Sequence, residues 1–425
     1  MVKLERIQWK CIRIALGAFP STPTNALEVI ANIPPLKERL CLAAKGYANQ
    51  LLSFNSHPLV PHLEKLRSSS RSLPHFFEIC LQKKDQVKFR TLNPHPMFSC
   101  SYESLSFRPT ILFLKVKKNA CSNETVSLKF NNFNSNHWAE FVKIYTDGSK
   151  TVSHTGFGVW IPYLNLEAHF DIRHDASIFT AEGEAILEAL HIAHVQTERK
   201  ILIITDSMSV LMALKNFPKS RSHPVIFEIR ELTWKLVKSG FTIRFLWVPS
   251  HKGLVGNEIA DRVASDFSDS VIPHDYRLFA RDLRASDKSL HYGSWQNKWM
   301  ASSKGRHLFQ FLADVNKDPW FIDMALPRFA LVMLNRLLTS HTRCKSHLCK
   351  INMSSDDVCS CGQVQNPEHL LFDCTEIDSR IRAKFFDIVR SEGQTPRNLT
   401  YLLSTFNKRI FFAIANFFKS ANFQL

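Results

Sequence analysis

The stretch that decides the fold is FVKIYTDGSK at residues 141–150, a short apolar strand pattern ending in an Asp-Gly-Ser turn. Two more strand-like runs follow, TGFGVWI at 155–161 and LEAHFDI at 166–172, joined by a turn. Since tight turns join antiparallel neighbours, we predict that the first three strands are antiparallel. IFTAEGEAILEALHIAHV at 178–195 then has the apolar spacing of a helix, with Thr180 as its predicted cap.

Strands and helices alternate through the rest of this region. ILIITD at 201–206 and FTIRFLWVPSH at 241–251 have the composition and length of strands. The helical patterns SMSVLMALKNF and HPVIFEIRELTWKLVKSG lie between them, and GNEIADRVASDF at 256–267 closes the region. Strands separated by helices are normally parallel, because the crossover needs a dozen or more residues. The order βββαβααβα therefore predicts an α/β fold with a mixed five-stranded sheet and helices on both faces.

Four acidic residues lie at positions where an acidic side chain is costly. Asp147 ends the first strand, and Glu182 lies in the first turn of the first helix. Asp206 ends the fourth strand, and Asp261 lies inside the last helix. Groups at strand ends and nearby helix turns converge on one edge of an open α/β sheet. Carboxylates held there repel one another unless cations lie between them. We therefore predict two Mg²⁺ ions, with Mn²⁺ as the alternative, and metal-assisted phosphodiester hydrolysis.

Each of these acids also has an ordinary structural interpretation. Asp147 stands before a glycine, as turn residues do, and Glu182 favours the helix dipole. Asp206 can cap the following helix, and Asp261 can pair with a neighbouring basic residue. Glu184 is the alternative to Glu182, because both lie in one helical turn. The joint occurrence of four acids in this order favours the metal interpretation.

The motifs TDGSK, TAEGEAIL, ITDSMSVLMAL and WVPSHKGLVGNEIADRVAS resemble the four blocks of a type 1 ribonuclease H, over residues 139–268. The resemblance implies a ribonuclease H-like fold and cleavage of the RNA strand of RNA–DNA hybrids. It places the four acids at the metal-binding carboxylates of the family: Asp147, Glu182, Asp206 and Asp261. It places His251 at the position of a mobile histidine of the family that helps the product leave. The alternative is that His251 is an ordinary histidine of a surface loop. Ser149 and Ser207 become candidates for nucleic-acid backbone contacts, although such residues are often simply turn residues.

The charge of the chain predicts a nucleic-acid partner. The formal net charge is +16, which favours an acidic ligand. Residues 139–268 hold 14 Lys and Arg against 15 Asp and Glu, whereas the rest of the chain holds 40 against 23. Some family members carry a long basic loop between the last two central helices, where this chain has only NFPKSRSHP with Lys219 and Arg221. We therefore expect the basic flanks to supply affinity for the hybrid.

The sequence divides into five predicted parts, and the segments that flank the ribonuclease H domain are predicted to be mostly helical. They are a helical segment at 1–55, a Ser-, Pro-, His- and Lys-rich linker with some local structure at 56–138, the ribonuclease H domain at 139–268, a basic helical segment at 269–350, and a Cys/His motif with C-terminal helices at 351–425. Residues 4–48 resemble the segment after the reverse transcriptase in LINE-like non-LTR retrotransposons, and 354–374 resemble a Cys/His motif of the same polyproteins. The resemblance implies a role in retrotransposon reverse transcription.

The Cys/His motif predicts a zinc site. Cys359-X-Cys361-X7-His369-X4-Cys374 offers three thiolates and an imidazole, a set typical of structural zinc. The spacing of the first pair is tighter than the usual two to four residues, and His369 can instead be a buried helix residue. The alternative ligands are Cys344, His347 and Cys349. Ten cysteines without a signal peptide indicate reduced thiols rather than disulfides.

Three functions remain open from the sequence. The first is an active ribonuclease H, and the second is a catalytically inactive, nucleic-acid-binding relic of a retrotransposon. The third is a DDE-type transposase or integrase, against which the position of Glu182 and the turn at His251 argue. Residues 1–19 have an amphipathic helix pattern rather than that of a signal peptide, and no apolar run reaches membrane length. We expect no membrane partner and an intracellular, nuclear location, and the oligomeric state stays open.

Overall fold

A computed structural model describes residues 2–54, 57–67, 75–90, 100–114, 122–219, 222–267, 277–315, 318–423 and 425. The chain forms two compact units. The terminal unit consists of Met1–Leu42 and Ser289–Leu425, and the sheet unit consists of Ala43–Lys288. The five-part division stays a prediction; the structure adds that residues from its first and last parts share one unit.

The strands, in chain order, are β1 (Thr110–Phe113), β2 (Val142–Lys150), β3 (Thr155–Ile161), β4 (Leu166–Ile172), β5 (Lys200–Thr205) and β6 (Thr242–Trp247). The α-helices of the described residues are α1 (Val2–Leu16), α2 (Thr24–Ala31), α3 (Leu36–Ser53), α4 (Val60–Arg67), α5 (His75–Gln86), α6 (Tyr102–Ser106), α7 (Asn123–Phe133), α8 (Ile178–His194), α9 (Met208–Lys215), α10 (Pro224–Lys238), α11 (Val255–Ala264), α12 (Leu283–Ala301), α13 (Arg306–Phe309), α14 (Arg328–Thr339), α15 (Lys345–Lys350), α16 (Pro367–Phe372), α17 (Ser379–Ser391), α18 (Leu399–Ser404) and α19 (Lys408–Ser420). A short π-helix at Asn134–Trp138 extends α7, and a short 3-10 helix at Pro162–Leu164 joins β3 to β4.

The sheet unit is built on a mixed sheet with the strand order β1-β6-β5-β2-β3-β4. The pairs β2–β3 and β3–β4 are antiparallel, and the pairs β2–β5, β5–β6 and β1–β6 are parallel. The predicted order βββαβααβα is therefore confirmed from β2 to α11. So are the mixed sheet and its antiparallel start.

Helices cover both faces of this sheet, because successive strand residues point to opposite sides. On one face, Ile144, Ile203 and Phe245 pack in a core with residues of α8, α9 and α10. On the other face, Tyr145 and Leu202 pack with residues of α7 and α11. Burying one such large apolar side chain contributes about 1.5–3 kcal/mol, so these two layers hold the sheet and its helices together.

Two local features differ from the sequence prediction. The sheet has a sixth strand, β1, which comes from the segment predicted as a linker and pairs with β6. The cap of α8 lies three residues earlier than predicted, at Ser177 rather than Thr180: the Ser177 hydroxyl accepts a hydrogen bond from the Thr180 amide at 3.2 Å. Glu182 consequently lies in the second turn of the helix.

The terminal unit is helical and has its own apolar core. Residues of α1 and α2 share this core with α12, α14 and the helices α16 to α19, and the fully buried Phe411 and Phe418 come from α19. None of the helices in the described ranges combines the length and the apolar character that a bilayer crossing requires.

One buried acid makes the stability of the terminal unit depend on pH. Glu28 on α2 is 5% exposed and accepts a 2.7 Å hydrogen bond from the Trp9 indole. Burial raises the pKa of Glu28 to about 7, against an ordinary value of 4.5. A raised folded-state pKa gives stability that is present below about pH 4.5 and lost as the pH rises through 7.

We therefore expect Glu28→Gln, which keeps an acceptor for Trp9 but cannot ionise, to stabilise the protein at high pH. The free energy of unfolding in urea should exceed that of the wild type by roughly 1–3 kcal/mol at pH 8, and by much less at pH 4.5. An equal difference at both pH values would show that ionisation of Glu28 is not the cause.

Candidate active site

Three of the predicted acids come together at the centre of the sheet. β2 and β5 are adjacent and parallel, with Thr146 opposite Thr205, so Asp147 and Asp206 follow at the same level. α8 packs against β2 and brings Glu182 to them. One carboxylate oxygen from each of the three acids lies within 4.8 Å of the others. β2 continues to Lys150, so Asp147 is inside its strand rather than at its end.

A glycine makes the close approach of α8 to β2 possible. A Cβ atom on Gly148 would lie 2.7 Å from the amide nitrogen of Glu182 and 3.0 Å from the carbonyl carbon of Ala181. The Gly148 amide also donates a 2.8 Å hydrogen bond to Oδ1 of Asp147. Only glycine fits here without separating the strand from the helix.

We expect Gly148→Ala to reduce hybrid cleavage by roughly 10–100-fold, because the methyl group displaces Glu182 from Asp147 by a fraction of an ångström or more. Initial rates on an RNA–DNA hybrid measure the effect. Gly46→Ala is the matched control, since a Cβ atom at Gly46 meets nothing within 4 Å. A wild-type rate for Gly148→Ala would contradict the placement of Glu182 at this strand.

Two of the three acids in this group have little access to solvent. Asp147 is 5% exposed and Glu182 is 9% exposed. Burial raises the pKa of Asp147, and the charges of Asp206 and Asp261 raise it further. Burial also raises the pKa of Glu182 well above its ordinary value, with added repulsion from Asp147 and Asp206.

The donor set fits hard divalent cations. The group offers only carboxylate oxygens, which are the ligands that Mg²⁺ prefers. The Glu182 Oε2 atom is buried and has no hydrogen-bond partner within the part of the chain that the structure describes. A buried charged oxygen without a partner is costly, and a cation satisfies it while also offsetting the repulsion among the three acids.

Asp261 and His251 lie at the rim of this group. Asp261 on α11 is close enough for a side-chain hydrogen-bonding contact with Asp147, but it is outside the set of three acids whose oxygens lie within 4.8 Å. Its side chain is 39% exposed. His251 has a left-handed backbone with φ of 53°, and its Nδ1 atom lies 3.7 Å from Oδ2 of Asp261. Its side chain is 77% exposed, so it faces solvent beside the acids.

Glu184, the alternative to Glu182, is engaged elsewhere. The Arg90 guanidinium donates to Glu184 Oε1 at 2.8 Å and to Glu228 Oε2 at 2.5 Å. The geometry therefore favours Glu182 as the helix-borne member of the group.

The two serines occupy different environments. Ser149 is half-buried and accepts a 3.0 Å hydrogen bond from the Ser265 hydroxyl. Ser207 is 6% exposed, which leaves its side chain little access to a nucleic acid. A backbone contact by either serine stays a prediction. The loop residue Lys219 is within the described residues, whereas Arg221 is outside them.

The sequence analysis did not identify two residues at the site, Asn257 and Trp247. Asn257 is 3% exposed, and its Nδ2 atom lies 3.4 Å from Oδ2 of Asp206. The Trp247 indole donates a 3.1 Å hydrogen bond to the backbone carbonyl of Asp206. Asn257 precedes Asp261 by four residues and so shares its helix face, which is the signal that points to it.

A second group of metal-ligand type lies in the terminal unit. The ligand atoms of Cys359, Cys361, His369 and Cys374 all lie within 4.8 Å of one another. The Cys359 and Cys374 sulfur atoms are 3.7 Å apart, close to the roughly 3.8 Å expected for two thiolates on one tetrahedral zinc with bonds of about 2.3 Å. The Cys361 sulfur lies 3.1 Å from Nε2 of His369.

The structure shows how the chain brings these four residues together. Val358 and Val364 form a β-bridge that folds the first two cysteines into a tight turn. The Asn366 side chain caps α16, which carries His369. The alternative ligands lie outside the group: His347 is hydrogen-bonded to Ser21 at 2.9 Å, and burial raises the pKa of the Cys344 thiol to about 11.

Fold and site together define an α/β domain with a group of three carboxylates, two of them buried, that suits divalent cations. The RNase H family model matches residues 139–269, one residue longer than the predicted domain. Ribonuclease H of Orientia tsutsugamushi is 31% identical over 140 residues, which cover 29% of this chain and 80% of that protein. The chain belongs to the ribonuclease H family through this domain.

Mammalian relatives give the same match. Human ribonuclease H1 is 28% identical over 145 residues, and the rat ribonuclease H1 is 29% identical over 150 residues. The match covers 31% of this chain in both cases, and the chain spans only 51% of the length of these two relatives.

Proposed function

We propose that the domain at residues 139–268 is an endoribonuclease that hydrolyses the RNA strand of RNA–DNA hybrids with two bound divalent cations. The observation that carries the proposal is the close group of Asp147, Glu182 and Asp206, the first two of them buried, in a chain of the ribonuclease H family. That family uses Mg²⁺ and binds RNA–DNA hybrids, so we take Mg²⁺ as the ion and Mn²⁺ as the alternative.

The residues of the chain have separate parts in this chemistry. Cations bound at the group would supply an activated water molecule and would stabilise the leaving oxygen of the phosphodiester. Asp147 on β2, Asp206 directly after β5 and Glu182 on α8 would hold the cations. Asp261, whose side chain is 39% exposed, would meet the substrate side of the site, with His251 next to it.

We propose that the substrate is recognised by shape and by 2′-hydroxyl groups rather than by base sequence. A wide minor groove displays these hydroxyls in helices that contain RNA. Ser149, which is adjacent to the carboxylate group along β2, is our candidate for a backbone contact. The excess of basic residues outside 139–268 would supply the sequence-independent affinity for phosphate.

We also propose that the domain acts in the reverse transcription of a LINE-like retrotransposon, at an intracellular, nuclear location. The resemblance of residues 4–48 and 354–374 to flanking segments of such polyproteins supports this role. The competing hypothesis is an inactive relic that binds nucleic acid without cutting it.

A cleavage assay separates the two hypotheses. The full-length chain is incubated with a labelled RNA–DNA hybrid, and with RNA–RNA and DNA–DNA duplexes of the same sequence, in Mg²⁺, in Mn²⁺ or in chelator. We expect cleavage of the RNA strand in the hybrid alone and only with a divalent cation. A wild-type chain that binds the hybrid but does not cut it would establish the relic, and equal cutting by Asp147→Asn would remove the enzyme proposal.

For the terminal unit, we propose a structural zinc ion held by Cys359, Cys361, His369 and Cys374. The spacing of the four ligand atoms supports the proposal, as does the chemistry of three thiols with one imidazole.

A further inference from the structure

The helix α7 precedes the matched domain and packs against its sheet. It ends at Phe133, whereas the family match begins at residue 139. Its start is fixed by Ser122, whose hydroxyl accepts a 3.3 Å hydrogen bond from the Thr125 amide. Its buried face, Val126 and Phe130, joins the core cluster on the same side of the sheet as α11.

That core cluster also contains both ends of the loop that carries His251. Val248 follows β6 and is fully buried, and Leu254 precedes α11 and is 6% exposed. Both ends of the loop 249–253 are therefore buried in an apolar core to which α7 contributes. Anchoring both ends limits the positions that the loop can adopt.

The helix contacts the loop directly as well. The Ser127 hydroxyl donates a 3.3 Å hydrogen bond to the Gly253 carbonyl. A Cβ atom on Gly253 would lie 3.3 Å from Cβ of Asn123, and this glycine has a left-handed φ of 71°. From the other side, the Gly253 amide donates a 2.9 Å hydrogen bond to Glu258 of α11. Gly253 is thus held between α7 and the helix that carries Asp261.

We infer that α7 is a brace that positions His251 beside Asp261, and that Ser127 is the positioning residue, because its hydrogen bond to Gly253 connects the brace to the loop. The inference rests on the proposed function, since it concerns the same site. It assigns a role in the reaction to a segment outside the matched domain. The exposed His251 has no other close polar contact of its own among the described residues than the one to Asp261 at 3.7 Å, so its place is set by the loop backbone.

The first test measures the loop itself and needs no activity. Amide hydrogen exchange of residues 250–253 is compared in the wild type, Ser127→Ala and Ser135→Ala. Ser135 is the matched control, because its hydroxyl donates only within its own segment, to the carbonyls of Asn131 and Asn132. We expect exchange of the loop to be about three- to tenfold faster in Ser127→Ala alone, the order of one ordinary hydrogen bond. Equal exchange in all three proteins would overturn the brace.

The second test asks whether the brace acts through His251. Multiple-turnover cleavage should fall about three- to tenfold in Ser127→Ala, stay at the wild-type level in Ser135→Ala and be restored in Ser127→Thr, which keeps a hydroxyl. In a His251→Ala background, Ser127→Ala should add no further loss. A loss that multiplies with that of His251→Ala would mean general damage and would overturn the inference. A wild type that does not cleave would instead refute the proposed function, while the exchange experiment still decides whether α7 braces the loop.

Discussion

Asp206→Asn is expected to reduce cleavage of the hybrid on the order of a thousandfold or more, while the hybrid still binds. The change keeps the shape of the side chain and removes one of the three charges whose oxygens lie within 4.8 Å. The loss should exceed the roughly 10–100-fold that is typical when an outer partner of a metal ligand is removed. Single-turnover rates and a fluorescence anisotropy titration, both in Mg²⁺, measure cleavage and binding.

The same variant separates a metal-binding role from a structural one. In chelator, Asp206→Asn should melt at a higher temperature than the wild type, because the charge of Asp206 opposes ionisation of Asp147 and Glu182. Asp85→Asn is the control: it removes the same charge in the sheet unit, from a surface ion pair with Arg67. If Asp206→Asn lost hybrid binding as deeply as cleavage, or melted below the wild type, Asp206 would be a structural residue.

Removal of zinc is expected to unfold part of the terminal unit. The apparent binding free energy of a structural zinc is about 10–16 kcal/mol, as large as the whole stability of an ordinary domain. Cys359 and Cys374 belong to the apolar core of this unit, together with Leu370 and Leu371 from α16. Loss of the ion would therefore release core residues as well as its four ligands.

The measurement is the metal content of the full-length protein, followed by proteolysis. We expect one zinc per chain in the wild type, and a loss of zinc with rapid cleavage within residues 351–425 in Cys374→Ser. Cys11→Ser is the matched control, because Cys11 is an exposed cysteine of the terminal unit outside the group. A wild type that holds no zinc, or a Cys374→Ser variant that keeps a full complement, would contradict the site.

The elements from β2 to α11 could be predicted because each has its own clear period of apolar residues. β1 could not, since four residues, Thr110–Phe113, pair with a strand that lies more than a hundred residues further along the chain. Such a pairing leaves no local pattern. The cap of α8 was misassigned because Ser177 and Thr180 are both good caps, and only the structure shows that the Ser177 side chain accepts the hydrogen bond.

The group of acids could be anticipated from strand ends, but its internal arrangement could not. The choice between Glu182 and Glu184 depends on Arg90, which is distant in sequence and pairs with Glu184. The placement of Asp261 outside the closest three acids depends on how α11 lies on the sheet, which residue spacing does not specify. Asn257 was recognisable in principle, because it lies one turn from Asp261 on the same helix.

The added strand β1 bears on how this protein can be dissected. Along its outer side, β6 is hydrogen-bonded to Thr110–Phe113, and the Leu114 amide continues the ladder to the Trp247 carbonyl at 3.1 Å. A recombinant fragment that begins at residue 139 would leave this side of β6 with unpaired amides and carbonyls. An edge strand with unpaired backbone groups can pair with a strand of another chain, which leads to aggregation. Truncations for biochemical work should therefore reach back beyond Thr110.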